Sequence, residues 1–382
     1  MSTEVRPIDV EAGMALAEVP TPALIVDLDR MEANIAAWQA MADRNGVALR
    51  PHIKTHKTPE IAALQLAAGA RGIASAKPSE AEVFAAAGCD DVVIAYPTVG
   101  EDKWARLARI AAGARLTVNV DSEHQARGLS AAAVAAGVEM RVQIEIDTGL
   151  HRVGLDPGNY AAIEAFARAI DALPAIELDG VTTHRGKFGD RLGPMTNAEA
   201  GHEEGSILVG LAERLRADGH PAPNVTAGGS VTGPGVAEVD GVTEVRAGTY
   251  VFYDAMQVAA GSARPDDVAL SILATVISTR RAGWTTVDAG SKTFSGDRGV
   301  VDGAATPPGI SECVDLDATV MRVTEEHGMV RLGGGASVEV GQKLRFMPYH
   351  VCTAVNLADQ LVGVRTGVVE TVWPIRARGA TR

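Results

Sequence analysis

Between residues 23 and 250 the chain alternates two textures. Short apolar runs at 24–28, 48–54, 72–77, 91–96, 116–121, 141–147, 180–184 and 224–228 are separated by longer alanine-rich stretches such as 29–45 and 59–70. In the first of those stretches Met31, Ile35, Trp38 and Met41 recur at the helical period, Asp29 offers an N-cap and Gly46 a stop. Eight strands alternating with helices predict an α/β fold, a (β/α)8 TIM-like barrel over residues 23–255. An open doubly wound sheet would want a glycine-rich turn after its first strand, and Leu28-Asp29-Arg30 contains no glycine.

Beyond Tyr250 the pattern shifts to short β-rich runs, at 269–278, 285–287, 318–323, 329–332, 343–347 and 361–365. Turn residues such as Gly333-Gly334-Gly335 separate them. This predicts an all-β C-terminal domain over 256–382, with residues 1–22 packing onto it.

Composition narrows the function more than the fold. The chain has 382 residues, 46% hydrophobic and 22% charged, within the range of globular proteins and long enough for two domains. A net charge of -13 with no basic stripe argues against a nucleic-acid partner. Three widely spaced cysteines, Cys89, Cys313 and Cys352, form no disulfide framework. The opening residues lack an apolar signal core, and no apolar run reaches the length of a membrane helix. The expected compartment is therefore the cytoplasm.

Two segments carry the strongest chemistry. Lys54 ends the run Pro51-His52-Ile53-Lys54, and in a barrel the C-terminal strand ends face the active site. The nearby cation Lys57 would lower the amine pKa, as a Schiff-base lysine requires, although a surface lysine has the same local signature. His350 and Cys352 stand two apart in Met347-Pro348-Tyr349-His350-Val351-Cys352; on an extended strand both would point the same way and offer nitrogen and thiolate to one cation. His-x-Cys spacing by itself is common without a metal. A Schiff-base lysine together with a metal suggests pyridoxal phosphate chemistry with a Lewis acid on the substrate.

Other candidates lie at predicted strand ends. Gly228-Gly229-Ser230 and Gly248-Thr249-Tyr250 fit a phosphate site, because glycines let backbone N–H groups approach an anion and Ser230 and Thr249 add hydroxyls. Ordinary glycine turns read the same way. Arg152, in a glycine-bounded turn, would hold an anionic oxygen or sit on the surface. His184 and His327 are further candidates, each equally readable as a structural histidine.

Taken in order, these segments resemble the fold-type III pyridoxal phosphate enzymes, in the branch containing D-threonine aldolase and D-serine dehydratase. The resemblance runs from Thr21-Pro22-Ala23-Leu24 through Pro51-His52-Ile53-Lys54, Arg152, the glycine turns and Glu326-His327-Gly328 to His350-Val351-Cys352. It implies an alanine-racemase-like barrel followed by a β domain, in a homodimer. It implies that Lys54 carries pyridoxal 5'-phosphate, and that Gly228, Gly229, Ser230, Gly248, Thr249 and Tyr250 line its phosphate site. Arg152 would approach the cofactor's phenolic oxygen. His350 and Cys352 would hold a divalent metal, zinc or manganese, near the substrate's β-hydroxyl, with His184 a catalytic candidate.

The chain also departs from the family pattern. In Thr183-His184-Arg185-Gly186-Lys187-Phe188-Gly189, Gly189 stands where many dehydratase-like members have tyrosine. The second histidine that aldolases carry nearby is absent. The resulting expectation is a lyase that cleaves D-β-hydroxy-α-amino acids to glycine and an aldehyde. The alternative is a dehydratase of the D-serine or D-threo-3-hydroxyaspartate type, giving a keto acid and ammonia. A racemase or a non-catalytic pyridoxal phosphate carrier are the remaining readings, and carriers lack a β domain.

Overall fold

The run at 24–28, expected as the first barrel strand, lies outside the barrel. The computed structural model describes residues 9–185, 195–297 and 309–382, and the chain divides into two compact units. Strand β1 (Ala23–Asp27) belongs to the unit formed by residues up to Ile35, 55–58 and 249–378. There it pairs antiparallel with 270–273 and parallel with 362–364. Its residues are buried on both faces, so its apolar run looks like that of a parallel barrel strand. Its true partners lie more than two hundred residues away in sequence. Helix α1 (Leu28–Arg44) follows directly. Asp27 Oδ1 accepts the Arg30 N–H at 3.1 Å, so Asp27 supplies the cap and Asp29 falls in the first turn.

The barrel unit comprises 36–54, 59–248 and 379–382. Its strands are β2 (Ala48–Leu49), β3 (Ile73–Ser75), β4 (Asp91–Ile94), β5 (Arg115–Val120), β6 (Met140–Glu145), β7 (Ile176–Thr182), β8 (Asn224–Ala227) and β9 (Glu244–Val245). All neighbours are parallel, in the order β2-β9-β8-β7-β6-β5-β4-β3. A bridge between His52 and Ala74 joins the continuation of β2 to β3 and closes the ring. Helices α2 (Pro59–Ala67), α3 (Pro78–Ala86), α4 (Glu101–Ala111), α5 (Glu123–Ala136), α6 (Tyr160–Asp171), α7 (Asn197–Ala217) and α8 (Gly233–Ala237) each follow a strand. The count of eight therefore begins at β2 and ends at β9, a two-residue strand with no readable period. This shift puts Gly228 after the seventh barrel strand and Gly248 after the eighth, where such barrels commonly bind phosphate.

Val92, Val118, Val142, Ile144, Val181 and Val225 form part of the buried apolar set of these strands. A buried ionic group ties three of the strands. Arg50 Nε meets Glu244 Oε2 at 2.9 Å and its Nη1 meets Asp91 Oδ1 at 2.8 Å.

The second unit holds, besides β1, β10 (Leu270–Ser278), β11 (Trp284–Val287), β12 (Ser311–Cys313), β13 (Ala318–Val323), β14 (Gly328–Leu332), β15 (Lys343–Pro348), β16 (Gln360–Arg365) and β17 (Val368–Pro374). The order is β11-β14-β13-β12-β15-β10-β1-β16-β17, and β11 also pairs with β10, so six strands close on themselves. Three short helices interrupt the strands: α9 (Ala255–Ala259), α10 (Ser291–Phe294) and α11 (Val351–Leu357). Residues near the N-terminus join the same layer. Gly13 N–H donates to Val369 O at 2.8 Å, and Val19 packs with Ile25, Leu273, Val362 and Val369. Among the described residues no helix is long and apolar enough to cross a membrane.

Candidate active site

Lys54 lies just past the C-terminal end of β2. Pro51 O and Ala74 O bind the N–H groups of Ala74 and Ile53, each at 2.8 Å, and this pairing carries the strand direction forward to the lysine. The half-buried Lys54 points its own N–H toward His52 Nδ1 at 3.4 Å. Burial, followed by the charges of Lys54, Arg246, His184 and Arg152, pushes the His52 imidazole well below its ordinary pKa. Burial, then Lys54, Arg152 and Arg246, does the same to His184, which follows β7. The barrel unit thus gathers three cations around two imidazoles that stay neutral at pH 7.

Each cation is placed by local chemistry. Arg152 sits on the loop after β6, which Asp147 organises by accepting the N–H groups of Gly149 at 2.9 Å and His151 at 3.0 Å. Its side chain is exposed. Arg246 follows β9 and is buried; Nη2 donates to Thr182 Oγ1 at 2.5 Å and to Thr183 O at 2.9 Å. Its Nε has no hydrogen-bond partner among the described residues. Glu145 is the first carboxylate to act on Arg246, and it also accepts a hydrogen bond from Asn119.

The loop after β8 packs closely against His184. Gly228 has φ +80°, and a Cβ there would come within 2.8 Å of Gly233 Cα. A Cβ on Gly229 would lie 2.9 Å from His184 Cε1. Only glycine fits both positions without displacement. The Gly228 N–H turns inward to Glu204 Oε1 at 3.2 Å, so this glycine shapes the loop and its N–H is already engaged. Ser230 is buried and Gly248 half-buried. Thr249 and Tyr250 begin a 3-10 turn that belongs to the other unit, where Tyr250 is fully buried.

In that other unit His350 and Cys352 come together differently from the strand expectation. β15 stops at Pro348, His350 is the extended N-cap of α11, and Cys352 lies in the first turn of that helix. Asp254 fixes the change of conformation: its Oδ2 accepts the Val351 N–H at 2.9 Å, while its Oδ1 accepts the Gln257 N–H at 2.9 Å. His350 Nδ1 meets Asp297 Oδ2 at 2.5 Å, and Cys352 Sγ lies 3.4 Å from Thr55 Oγ1. Burial opposes a charge on His350, but its hydrogen bond with Cys352 and the charges of Cys352 and Asp254, with Asp297 helping, push its pKa up to about 10. Burial pushes the Asp254 carboxyl up to about 6 against the pull of His350. His327 is exposed on the turn between β13 and β14. No group of three or more His, Cys, Asp or Glu side chains with metal-binding geometry occurs among the described residues. Gly186, Lys187, Phe188 and Gly189 lie outside the described residues.

Residues 26–256 match the family model of the alanine racemase N-terminal domain, and 269–364 match a serine dehydratase domain model. The chain is 39% identical to D-threonine aldolase from Arthrobacter sp. over 98% of its own length and 97% of that protein. The chain belongs to the alanine racemase N-terminal domain family. It is also 38% identical to D-threo-3-hydroxyaspartate dehydratase from Delftia sp. strain HT23, over 88% of this chain and 92% of the relative. Among solved structures, D-threonine aldolase from Filomicrobium marinum superposes with a TM-score of 0.88 at 31% identity, covering 99% of this chain and 100% of that one.

Several residues that contact the candidates in one unit or the other carry little signal in the sequence. His52 had a signal, since it stands two before Lys54 in the same apolar run. Arg246 stands two residues before Gly248, but nothing local announces its burial. Asp254, Asp297 and Glu204 carried no signal beyond being acidic, because their partners come from distant segments.

Proposed function

We propose that the protein is a pyridoxal phosphate-dependent lyase acting on D-β-hydroxy-α-amino acids, cleaving them to glycine and an aldehyde. The observation that carries this reading is the cluster in the barrel unit: Lys54, Arg152 and Arg246 around neutral His52 and His184, beside a glycine bed that side chains would fill. A concentration of cations suits a cofactor bearing a phosphate and a phenolate.

Lys54 would hold the cofactor covalently, and Arg152 would face its phenolic oxygen. Gly228, Gly229, Ser230 and Gly248, with Thr249 and Tyr250, would line its phosphate. Pyridoxal phosphate, when bound, supplies an electron sink for the pair left on the substrate α-carbon when one of its bonds breaks. The protein's own part is proton handling. His184, neutral at pH 7, would exchange a proton with the substrate only transiently, because burial and then the nearby cations disfavour its protonated form.

His350 and Cys352 would hold a divalent metal. Asp297 on His350 Nδ1 matches the carboxylate–histidine pairing that fixes the ring of a metal-ligating imidazole. A metal there would supply a Lewis acid for the substrate's β-hydroxyl. Dehydration is the second reading: the Delftia dehydratase relative favours it.

Borohydride reduction followed by peptide mapping is expected to place a pyridoxyl group on Lys54; labelling of another lysine would refute the assignment. Incubation with D-threonine and D-serine separates the reactions. Acetaldehyde plus glycine marks the aldolase, and a keto acid plus ammonia marks the dehydratase.

A further inference from the structure

Glu204 is buried in the middle of α7, with none of its surface exposed. A carboxylate in that position needs donors, and it has three. The Arg185 N–H reaches Oε1 at 3.1 Å and the Gly228 N–H reaches the same oxygen at 3.2 Å. The Thr232 hydroxyl donates to Oε2 at 2.7 Å, and Thr232 Oγ1 in turn faces the Gly229 N–H at 3.5 Å. One side chain therefore ties the residue after His184 to both glycines of the loop after β8.

The close approach of helix to loop is itself built into the chain. A Cβ on Gly201 would lie 2.4 Å from Thr232 O, and one on Gly235 would lie 2.5 Å from Ala198 O. Glycine at both points lets α7 and α8 touch backbone to backbone, which carries Glu204 beneath the loop. A surface acid on a helix would need none of this. Burial raises the pKa of the Glu204 carboxyl, while its bonds to Thr232, Arg185 and Gly228 act in the opposite direction.

We propose that Glu204 is a positioning residue that sets the shape of the Gly228–Gly229 phosphate loop and the seat of His184, acting through backbone N–H groups without touching the cofactor. This rests on the pyridoxal phosphate reading given above. The distinguishing consequence is selectivity: the loop should matter for the phosphate and little for the ring.

The test measures dissociation constants of the apoprotein for pyridoxal phosphate and for pyridoxal, which lacks the phosphate, by absorbance titration, with thermal midpoints alongside. Glu204→Ala removes all three acceptor contacts and should weaken pyridoxal phosphate about tenfold or more, with pyridoxal changed less than about threefold. Glu204→Gln keeps a side-chain oxygen for the two N–H groups and should recover most of the loss. If Glu204→Ala does not fold, Thr232→Val takes its place. It removes only the hydroxyl bridge and should weaken pyridoxal phosphate about threefold or more, again with pyridoxal spared. Equal losses for the two ligands, or wild-type phosphate-ester affinity in the variants, would overturn the proposal alone. A wild-type protein that takes up no pyridoxal phosphate would overturn the underlying reading and the proposal with it.

Discussion

Replacing Gly229 by alanine tests the geometry of the site through a single methyl group. The added Cβ would stand 2.9 Å from His184 Cε1 and 3.4 Å from its Nδ1. Carbon atoms prefer separations of about 3.5–4.0 Å, so the ring or the loop must retreat by about 0.6 Å or more. The loop is held from below by Glu204, and the ring is buried. Unrelieved overpacking of this kind costs about 1–3 kcal/mol. At 1.4 kcal/mol per factor of ten, pyridoxal phosphate affinity should fall roughly 5- to 140-fold if the ring displacement is paid at the cofactor site. The assay is a double-mutant cycle with Gly229→Ala and His184→Ala, read both by urea midpoint of the apoprotein and by cofactor titration. With the imidazole gone, the methyl group has room, so Gly229→Ala should cost less than about 0.5 kcal/mol in the His184→Ala background. Equal costs in the two backgrounds would refute the contact, and a harmless Gly229→Ala would refute the reasoning altogether.

Three further outcomes are expected. Glu244→Gln should destabilise the barrel by about 3 kcal/mol, the low end for breaking a buried ion pair because Asp91 still faces Arg50, whereas Glu123→Gln at the exposed Arg127 pair should cost less than about 1 kcal/mol; urea unfolding checks both. The hydrogen bond to Asp171, then Glu164, raises the His220 pKa against burial, so its stabilisation is full below about pH 6.5 and lost as pH rises through the higher folded value; the stability gap between wild type and His220→Asn should therefore be largest near pH 6 and close in alkali. Cys352→Ala, or a chelator, should remove bound divalent metal and cleavage of β-hydroxy amino acids while the absorbance of bound pyridoxal phosphate survives; full activity in a verified metal-free sample would contradict the metal's role.

What could be read from the sequence follows from how far each signal reaches along the chain. The barrel strands from β3 to β8 are apolar runs bounded by turns, and burial on both faces makes that local pattern sufficient. β1 has the same pattern, yet its edges are filled by 270–273 and 362–364, and no local property of Ala23–Asp27 encodes partners so distant. β9 has only two residues, too few for any period to appear, so the count of eight came out right with one wrong member. The site divides in the same way. The expectation for Lys54 rested on the orientation of a barrel strand end, and the structure places it in the turn beyond β2, near His52 and His184. The pairing of His350 with Cys352 was legible from their chemistry, while its geometry was not, because α11 starts at Val351 and is pinned there by Asp254, ninety-seven residues upstream. The environment of a group is still less local than its geometry. His52 and His184 are ordinary histidines in sequence, and their pKa values fall well below the usual range because the fold buries them and the loops after β6 and β9 bring Arg152 and Arg246 beside Lys54. Residue type thus announces which chemistry a position can supply, and tertiary structure decides the protonation state in which it is supplied. The same division explains why aldolase and dehydratase relatives share this chain's fold at similar identity. On the proposed reading both reactions would begin from one set of residue types, and the outcome would turn on where a proton acceptor stands relative to the substrate's α-hydrogen and β-hydroxyl.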